Sequence, residues 1–195
     1  MSQDWFSSDW HFSHKNICKG GPRPFEEARP FLTTDEMNEC LIKNINKCVD
    51  ANDRLFFLGD FCMGGDRATR LRPMINCKKI YLVYGNHDEN IRKYPEQQKM
   101  FEWCKDFAEI NSNGKRITAC HYALRVWNKS HHGSWHCYGH SHGTLLDDPY
   151  SNSIDVGIDC NKENPYHPFH FDDIESHMRR KQWRQVDHHN RNTSQ

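Results

Sequence analysis

Two short apolar runs fix most of what this chain can become. Arg54-Leu55-Phe56-Phe57-Leu58 runs straight into Gly59-Asp60, and Ile80-Tyr81-Leu82-Val83-Tyr84 into Gly85-Asn86. Runs of this length without polar alternation read as strands buried on both faces, the habit of parallel sheets. A glycine and then an oxygen donor at each tip places a ligand at the strand's C-terminal end, where open α/β sheets bind. Trp5 to Ser8 reads as another short strand, ending at Asp9. Thr34-Asp35 is expected to cap a helix in which Met37, Leu41, Ile45 and Cys48/Val49 recur at helical spacing, and Asp66 to Asn76 reads as a second helix.

The later half is strand-rich. Ala108-Glu109-Ile110, the turn Asn113-Gly114 and Arg116 to Cys120 spell a hairpin with a type I′ turn, which delivers His121 at its far end. Trp135 to Tyr138 leads into Gly139-His140, and Ser153 to Ile158 and Phe169 to Phe171 read as further strands. A helical half followed by a strand-rich half fits two packed sheets with helices outside. The stretch from His14 to Pro30, rich in Gly, Pro and basic residues, reads as a loop. The expected organisation is one domain over residues 1–175 and a basic tail over 176–195. That tail sets Arg179, Arg180, Lys181, Arg184 and Arg191 against Asp187, and reads as a terminal helix fraying into disorder.

Leu, Ile, Val and Phe together fall below roughly a fifth of the chain, which by itself would raise the prospect of disorder. The charge balance argues the other way: 26 basic residues meet 26 acidic ones, and 11 Phe, 7 Tyr and 6 Trp supply large buried area. Zero net charge gives no global pull toward nucleic acid or an anionic membrane. No stretch approaches the ~18 apolar residues of a membrane span, and the first residues do not begin a signal peptide. The nine cysteines lack a C-x-x-C pair and read as buried free thiols in a reducing cytosol, so a cytoplasmic location is expected.

Seven metal-binding side chains fall in one order: Asp9 and His11, then Asp60, Asn86, His121, His140 and His142. Four imidazoles, two carboxylates and one amide oxygen suffice for two divalent cations if one carboxylate bridges them. Two metals about 3.5–4 Å apart clamp the attacking and leaving oxygens of a phosphoryl transfer. Mixed N/O shells suit Mn²⁺ best, with Fe²⁺, Ni²⁺ or Zn²⁺ as alternatives, and the absence of cysteine from the motif positions argues against a structural zinc site.

The ordered set, D-x-H, G-D, G-N-H-D, a lone His and G-H-x-H, resembles the calcineurin-like metallophosphoesterase family from about Asp4 to about Phe171, and the fragment His11-Phe12-Ser13-His14-Lys15-Asn16-Ile17 is similar to its small bacterial and bacteriophage members. The resemblance implies an α/β fold, a four-layer αββα sandwich of two mixed sheets flanked by helices, with the metals at one end. It implies that Asp9, His11 and His142 bind one ion, that Asp60 bridges, and that Asn86, His121 and His140 complete the second site. It also implies hydrolysis of a phosphoester by a hydroxide shared between the metals.

His87 is left over from the ligand count and is the expected catalytic group, with Asp88 beside it as a carboxylate that would orient it. His14, Lys15, Arg125 and His132 are candidate substrate contacts, and Trp127 and Trp135 are candidate stacking platforms weighed against core packing. The phosphoprotein phosphatase branch carries a carboxylate and an arginine where this chain has Met63 and Gly64. The favoured activity is therefore a phosphodiesterase acting on a small nucleotide-type diester. A phosphomonoesterase, a nuclease acting on nucleic acid, and a non-catalytic binding scaffold stay open.

Overall fold

The computed structural model describes residues 2–25, 28–65 and 67–186. Strand β1 (Asp4–Ser7) carries Asp9 and His11 just past its tip. Helix α1 (Thr34–Cys48) follows the first loop and buries Met37, Leu41 and Ile45 along one face. Its cap is Thr33, one residue before the expected pair: extended backbone turns the Thr33 hydroxyl onto the Glu36 N–H at 3.1 Å. Strand β2 (Arg54–Phe57), helix α2 (Arg67–Leu71) and strand β3 (Lys79–Val83) come next. The helix expected over residues 66–76 is cut short because Pro73 has no N–H to continue the ladder, and a 3-10 turn, Arg72–Met74, replaces it. Asp66 lies outside the described residues.

Short helices α3 (Glu89–Lys93) and α4 (Pro95–Gln98) lead to β4 (Trp103–Lys105), a strand with no signature in the sequence reading. Then come β5 (Phe107–Ser112) and β6 (Lys115–Cys120), joined by Asn113 and Gly114, both at positive φ as a type I′ turn requires. The chain ends its described course with β7 (Trp135–Tyr138), β8 (Ser153–Asp155), β9 (Phe169–His170) and helix α5 (Phe171–Arg179).

The first sheet has the order β4-β3-β2-β1-β9, parallel except for β9, and the second the order β5-β6-β7-β8, parallel except for the hairpin. Both are mixed sheets. Alternation along β2 explains why the run is apolar on both faces. Leu55 and Phe57 pack toward α1, while Phe56 and Leu58 pack with Ile117, Ala119 and Cys137 of the second sheet. The result is an αββα sandwich with helices flanking the two sheets. On the far side of the second sheet the cover is thin: Trp127 lies over His136, and residues 182 and 184 hydrogen-bond the backbone of Pro149 and Tyr150.

Two strand ends differ from expectation. β8 stops at Asp155 because the chain leaves its sheet there: Val156 accepts from Ser8 N–H and Ile158 donates to Ser8 carbonyl, tying the two sheets at the site end. Phe171 belongs to α5 rather than a strand. The His170 ring accepts from Asp172 N–H, and Asp173 accepts from His170 N–H, which starts the helix at that point. α5 therefore runs across the 175/176 boundary set for the basic tail. Residues 187–195, with Asp187 and Arg191, lie outside the described residues.

Candidate metal centre

All seven expected ligands meet at the C-terminal ends of β1, β2, β3, β6 and β7. Five of them, Asp9, His11, Asp60, His140 and His142, have φ between 47° and 70°. Left-handed backbone at non-glycine residues costs of order 1–3 kcal/mol each and persists only where the surroundings enforce it. Its clustering on ligands, rather than on turns in general, marks the site as built. The neighbouring glycines are there for space. A Cβ on Gly85 would overlap the Asp60 carboxylate, and one on Gly59 would stand 2.5 Å from the His121 ring.

Three groups of ligand atoms converge to within 4.8 Å: Asp9 with His11 and His142, Asp60 with His121 and His140, and His11 with Asp60 and His87. Asp60 Oδ2 is 3.5 Å from His11 Nε2 and 3.5 Å from His121 Nε2, so one oxygen faces both halves. Asp9 Oδ1 is 3.9 Å from His11 Nε2 and 3.8 Å from His142 Nε2, and Asn86 Oδ1 is 3.0 Å from His121 Nε2. Atoms about 2.1 Å from a common ion stand roughly 3.0–4.2 Å from one another, which is the spacing seen here. Asp9 Oδ1 and His11 Nδ1 are buried without a hydrogen-bond partner among the described residues. An anionic oxygen left bare inside the protein is a strong indication that a cation completes it.

The electrostatics follow the same division. Burial drives the Asp9 carboxyl up to about 6, partly offset by the charges of His142 and His121. Burial also acts on Asp60, but the adjacent His121 imidazole and the charge of His11 outweigh it and hold this carboxyl down at about 2. His121 is buried too, yet Asp60 lifts it to about 9. Its Nδ1 donates to Leu58 carbonyl at 2.7 Å, which turns Nε2 toward Asp60 and Asn86. The Ser8 hydroxyl (2.6 Å) and the His140 N–H (2.9 Å) share Asp9 Oδ2 and link the first and last motifs.

His87 stands at the mouth of the centre. Its N–H donates to Asp60 Oδ1 at 2.8 Å, and its ring packs edge-on to His11 at 5.3 Å. Asp88 is used otherwise than expected. It is 1 % exposed, and its two oxygens accept the backbone N–H groups of Asp60 (2.8 Å), Gly85 (2.8 Å) and Phe61 (2.9 Å). Those three donors consume the carboxylate, so Asp88 clasps the β2 and β3 tips together rather than orienting the His87 ring. Asp88→Asn offers one acceptor oxygen and forces an NH₂ against a backbone N–H. It should cost about 1–3 kcal/mol of stability, read as a lowered midpoint in chemical denaturation; an unchanged midpoint would refute the clasp.

Of the expected substrate contacts, only His14 lines the metal cleft, 5.9 Å ring to ring from His87. The 3-10 turn Lys15–Ile17 carries Lys15 to a separate groove beside Cys18 and Gly20. Arg125 lines a cavity of about 310 Å³ with Trp127 and Tyr150, away from the metal ligands. His132 is exposed and packs on His131, outside the cleft. Trp127 and Trp135 are core residues, as their packing alternative had it: Trp127 donates to Ser134 and Trp135 stacks on Phe171. Arg29, Lys162, Phe25, Tyr166 and Asp159 also line the cleft, and no motif in the sequence marks them.

The sequence profile of the calcineurin-like phosphoesterase family matches residues 5–193. The chain belongs to that family. An uncharacterized protein of Methanocaldococcus jannaschii is 30% identical over 172 residues, covering 85% of this chain and 86% of its own. The crystal structure of a protein of unknown function from Aquifex aeolicus superposes with a TM-score of 0.61 at 21% identity, covering 90% of this chain and 99% of that one. The structure of a novel archaeal phosphodiesterase matches at a TM-score of 0.47 and 17% identity, over 80% of this chain and 82% of that one. Membership makes this a phosphoesterase-type hydrolase of a metal-dependent family, and the clusters just described are those that could hold its metal.

Proposed function

We propose that this protein is a dinuclear metal-dependent phosphodiesterase acting on small nucleotide-type diesters. The observation that carries the two-ion part is Asp60 Oδ2, equidistant from His11 and His121, with a full set of N and O donors on either side. When bound, a Mn²⁺ pair would acidify a shared water and neutralise the phosphoryl oxygens. Asp9, His11 and His142 would hold one ion, Asn86, His121 and His140 the other, and Asp60 both. His87, fixed through its backbone to Asp60 and lining the cleft, would meet a phosphoryl or leaving oxygen.

The diester preference rests on the cations of the cleft. Gly64 supplies no side chain where relatives acting on phosphoproteins place an arginine. Arg29, although it lines the cleft, is committed to Asp159 and to two backbone carbonyls. Lys162 lines the same cleft. A dianionic monoester needs a second cationic grip more than a singly charged diester does. The cleft extends to about 810 Å³, within the range that accommodates small organic ligands, and Phe25, Pro165 and Tyr166 give it an apolar wall suited to a flat base. Nine free cysteines support a reducing, cytoplasmic setting. Among the described residues, no helix is long and apolar enough to cross a membrane.

Chelator-treated protein should be inactive and should recover better with Mn²⁺ than with Ca²⁺, which prefers all-oxygen shells. With Mn²⁺, kcat/KM for bis-(p-nitrophenyl) phosphate should exceed that for p-nitrophenyl phosphate. A monoester preference of about tenfold or more would overturn the diesterase assignment and leave the metal centre standing.

A further inference from the structure

We propose that Arg29 and Asp159 are positioning residues that build one half of the metal centre, the Asp9–His11–His142 half, and bear far less on the other half. The proposal rests on the two-ion reading above, and not on the choice of substrate.

The geometry begins at His142. Its Nδ1 donates to Asp159 Oδ2 at 2.8 Å, so the ring holds its proton on Nδ1 and presents the Nε2 lone pair inward. Nε2 then faces Asp9 Oδ1 at 3.8 Å and His11 Nε2 at 3.1 Å. A carboxylate behind a ligand imidazole fixes its tautomer and raises its basicity. Asp159 is itself held from behind. Arg29 grips both of its oxygens, Nε to Oδ1 at 2.8 Å and Nη2 to Oδ2 at 2.7 Å, the forked arrangement that a guanidinium makes and an ammonium does not.

The same guanidinium reaches the first motif. Arg29 Nη2 donates to Asp9 carbonyl at 2.6 Å and Nη1 to Trp10 carbonyl at 2.7 Å. These bonds clamp the backbone at Asp9, whose φ of 58° is left-handed. One buried side chain thus fixes the peptide that aims Asp9 and the carboxylate that aims His142. Its own position is set by a bridge across the first loop, where Arg29 N–H donates to Ile17 carbonyl at 2.7 Å and Lys19 N–H donates to Arg29 carbonyl at 2.9 Å. The loop that reads as a surface connection is therefore a part of the metal centre.

The second half is aimed chiefly by other means, although the His140 N–H on Asp9 Oδ2 joins the two. His121 is turned by Leu58 carbonyl, and Asp60 is held by the His87 N–H. Disturbing Arg29 or Asp159 should therefore weaken one ion selectively.

The test is calorimetric titration of Mn²⁺ into chelator-stripped full-length protein, with ¹⁵N-histidine NMR of the metal-free protein alongside. Wild type should bind two ions and show His142 as the Nδ1–H tautomer. Asp159→Asn should bind one ion with near-wild-type affinity and the other about 10–100-fold more weakly, the usual worth of a group behind a ligand. Asparagine keeps one oxygen able to accept from Nδ1–H, so its His142 should stay the Nδ1–H tautomer and lose only basicity; Asp159→Ala removes the acceptor and should abolish the Nδ1–H preference, a change that loosened packing alone would not produce. Arg29→Lys keeps the charge but not the fork, so it should fall between. If Asp159→Asn does not fold, Asp159→Glu, which keeps the charge and displaces the acceptor, carries the same comparison. Equal weakening of both ions, or two ions of wild-type affinity together with an unchanged tautomer in Asp159→Ala, overturns the proposal. Fewer than two ions in wild type would overturn the two-ion reading and this proposal with it.

Discussion

Asp60→Asn is expected to weaken both bound ions together, by roughly 10²-fold or more each, and to reduce turnover in parallel. Even a carboxylate that only supports a ligand is worth about 10–100-fold in metal affinity, and the proposed bridge makes Asp60 a ligand to both halves. Its Oδ2 lies 3.5 Å from an imidazole of each half. It is also the more firmly ionised of the two acids, held at about 2 by the neighbouring imidazoles while burial lifts Asp9 to about 6. The substitution removes that charge and keeps the shape. Asn Oδ1 retains the acceptor for the His87 N–H, so the loop stays in place and the loss reads as electrostatic. Calorimetry against Mn²⁺ checks it. Loss of one ion with the other unaffected would mean that Asp60 serves a single metal and the centre has no bridge.

The candidate ligands were legible because each stands next to a landmark the sequence cannot hide. A buried strand must be apolar, a close approach must be glycine, and a metal ligand must be one of few residue types; where the three coincide, as in Phe57-Leu58-Gly59-Asp60, little ambiguity is left. The hairpin was legible for the same reason, since Asn113-Gly114 is a conformational requirement. The cleft wall was not. His14 and Lys15 are neighbours in the chain, but one turn of 3-10 helix sends them to different grooves. Arg29 and Asp159 meet across 130 residues, and neither lies in a periodic pattern. Asp88 misled because adjacency to His87 looks like partnership. The tips of β2 and β3 offer three N–H donors that face its buried carboxylate, and satisfying them takes precedence.

His87→Ala should leave both ions in place and lower kcat by roughly 10²–10⁴-fold, the usual worth of a positioned acid or base. The backbone, not the ring, connects this residue to the metal half: its N–H on Asp60 Oδ1 survives truncation at Cβ. The ring lies edge-on to His11 and near His14, at the open side of the cleft where a phosphoryl group must enter. With Asp88 committed to backbone, no carboxylate from its own motif steadies a charged His87, so its contribution should depend on the leaving group. A diester with a p-nitrophenolate leaving group, which needs little protonation, should lose less than one with an alkoxide leaving group. That ratio separates proton donation from simple charge stabilisation of the phosphoryl oxygens, which would depress both alike. The ring also has a competing geometry, since a His87 ring nitrogen comes within 4.8 Å of donor atoms of His11 and Asp60. If His87→Ala sheds one ion stoichiometrically, the ring is a ligand, and the proton for the leaving oxygen must come from His14 or from solvent.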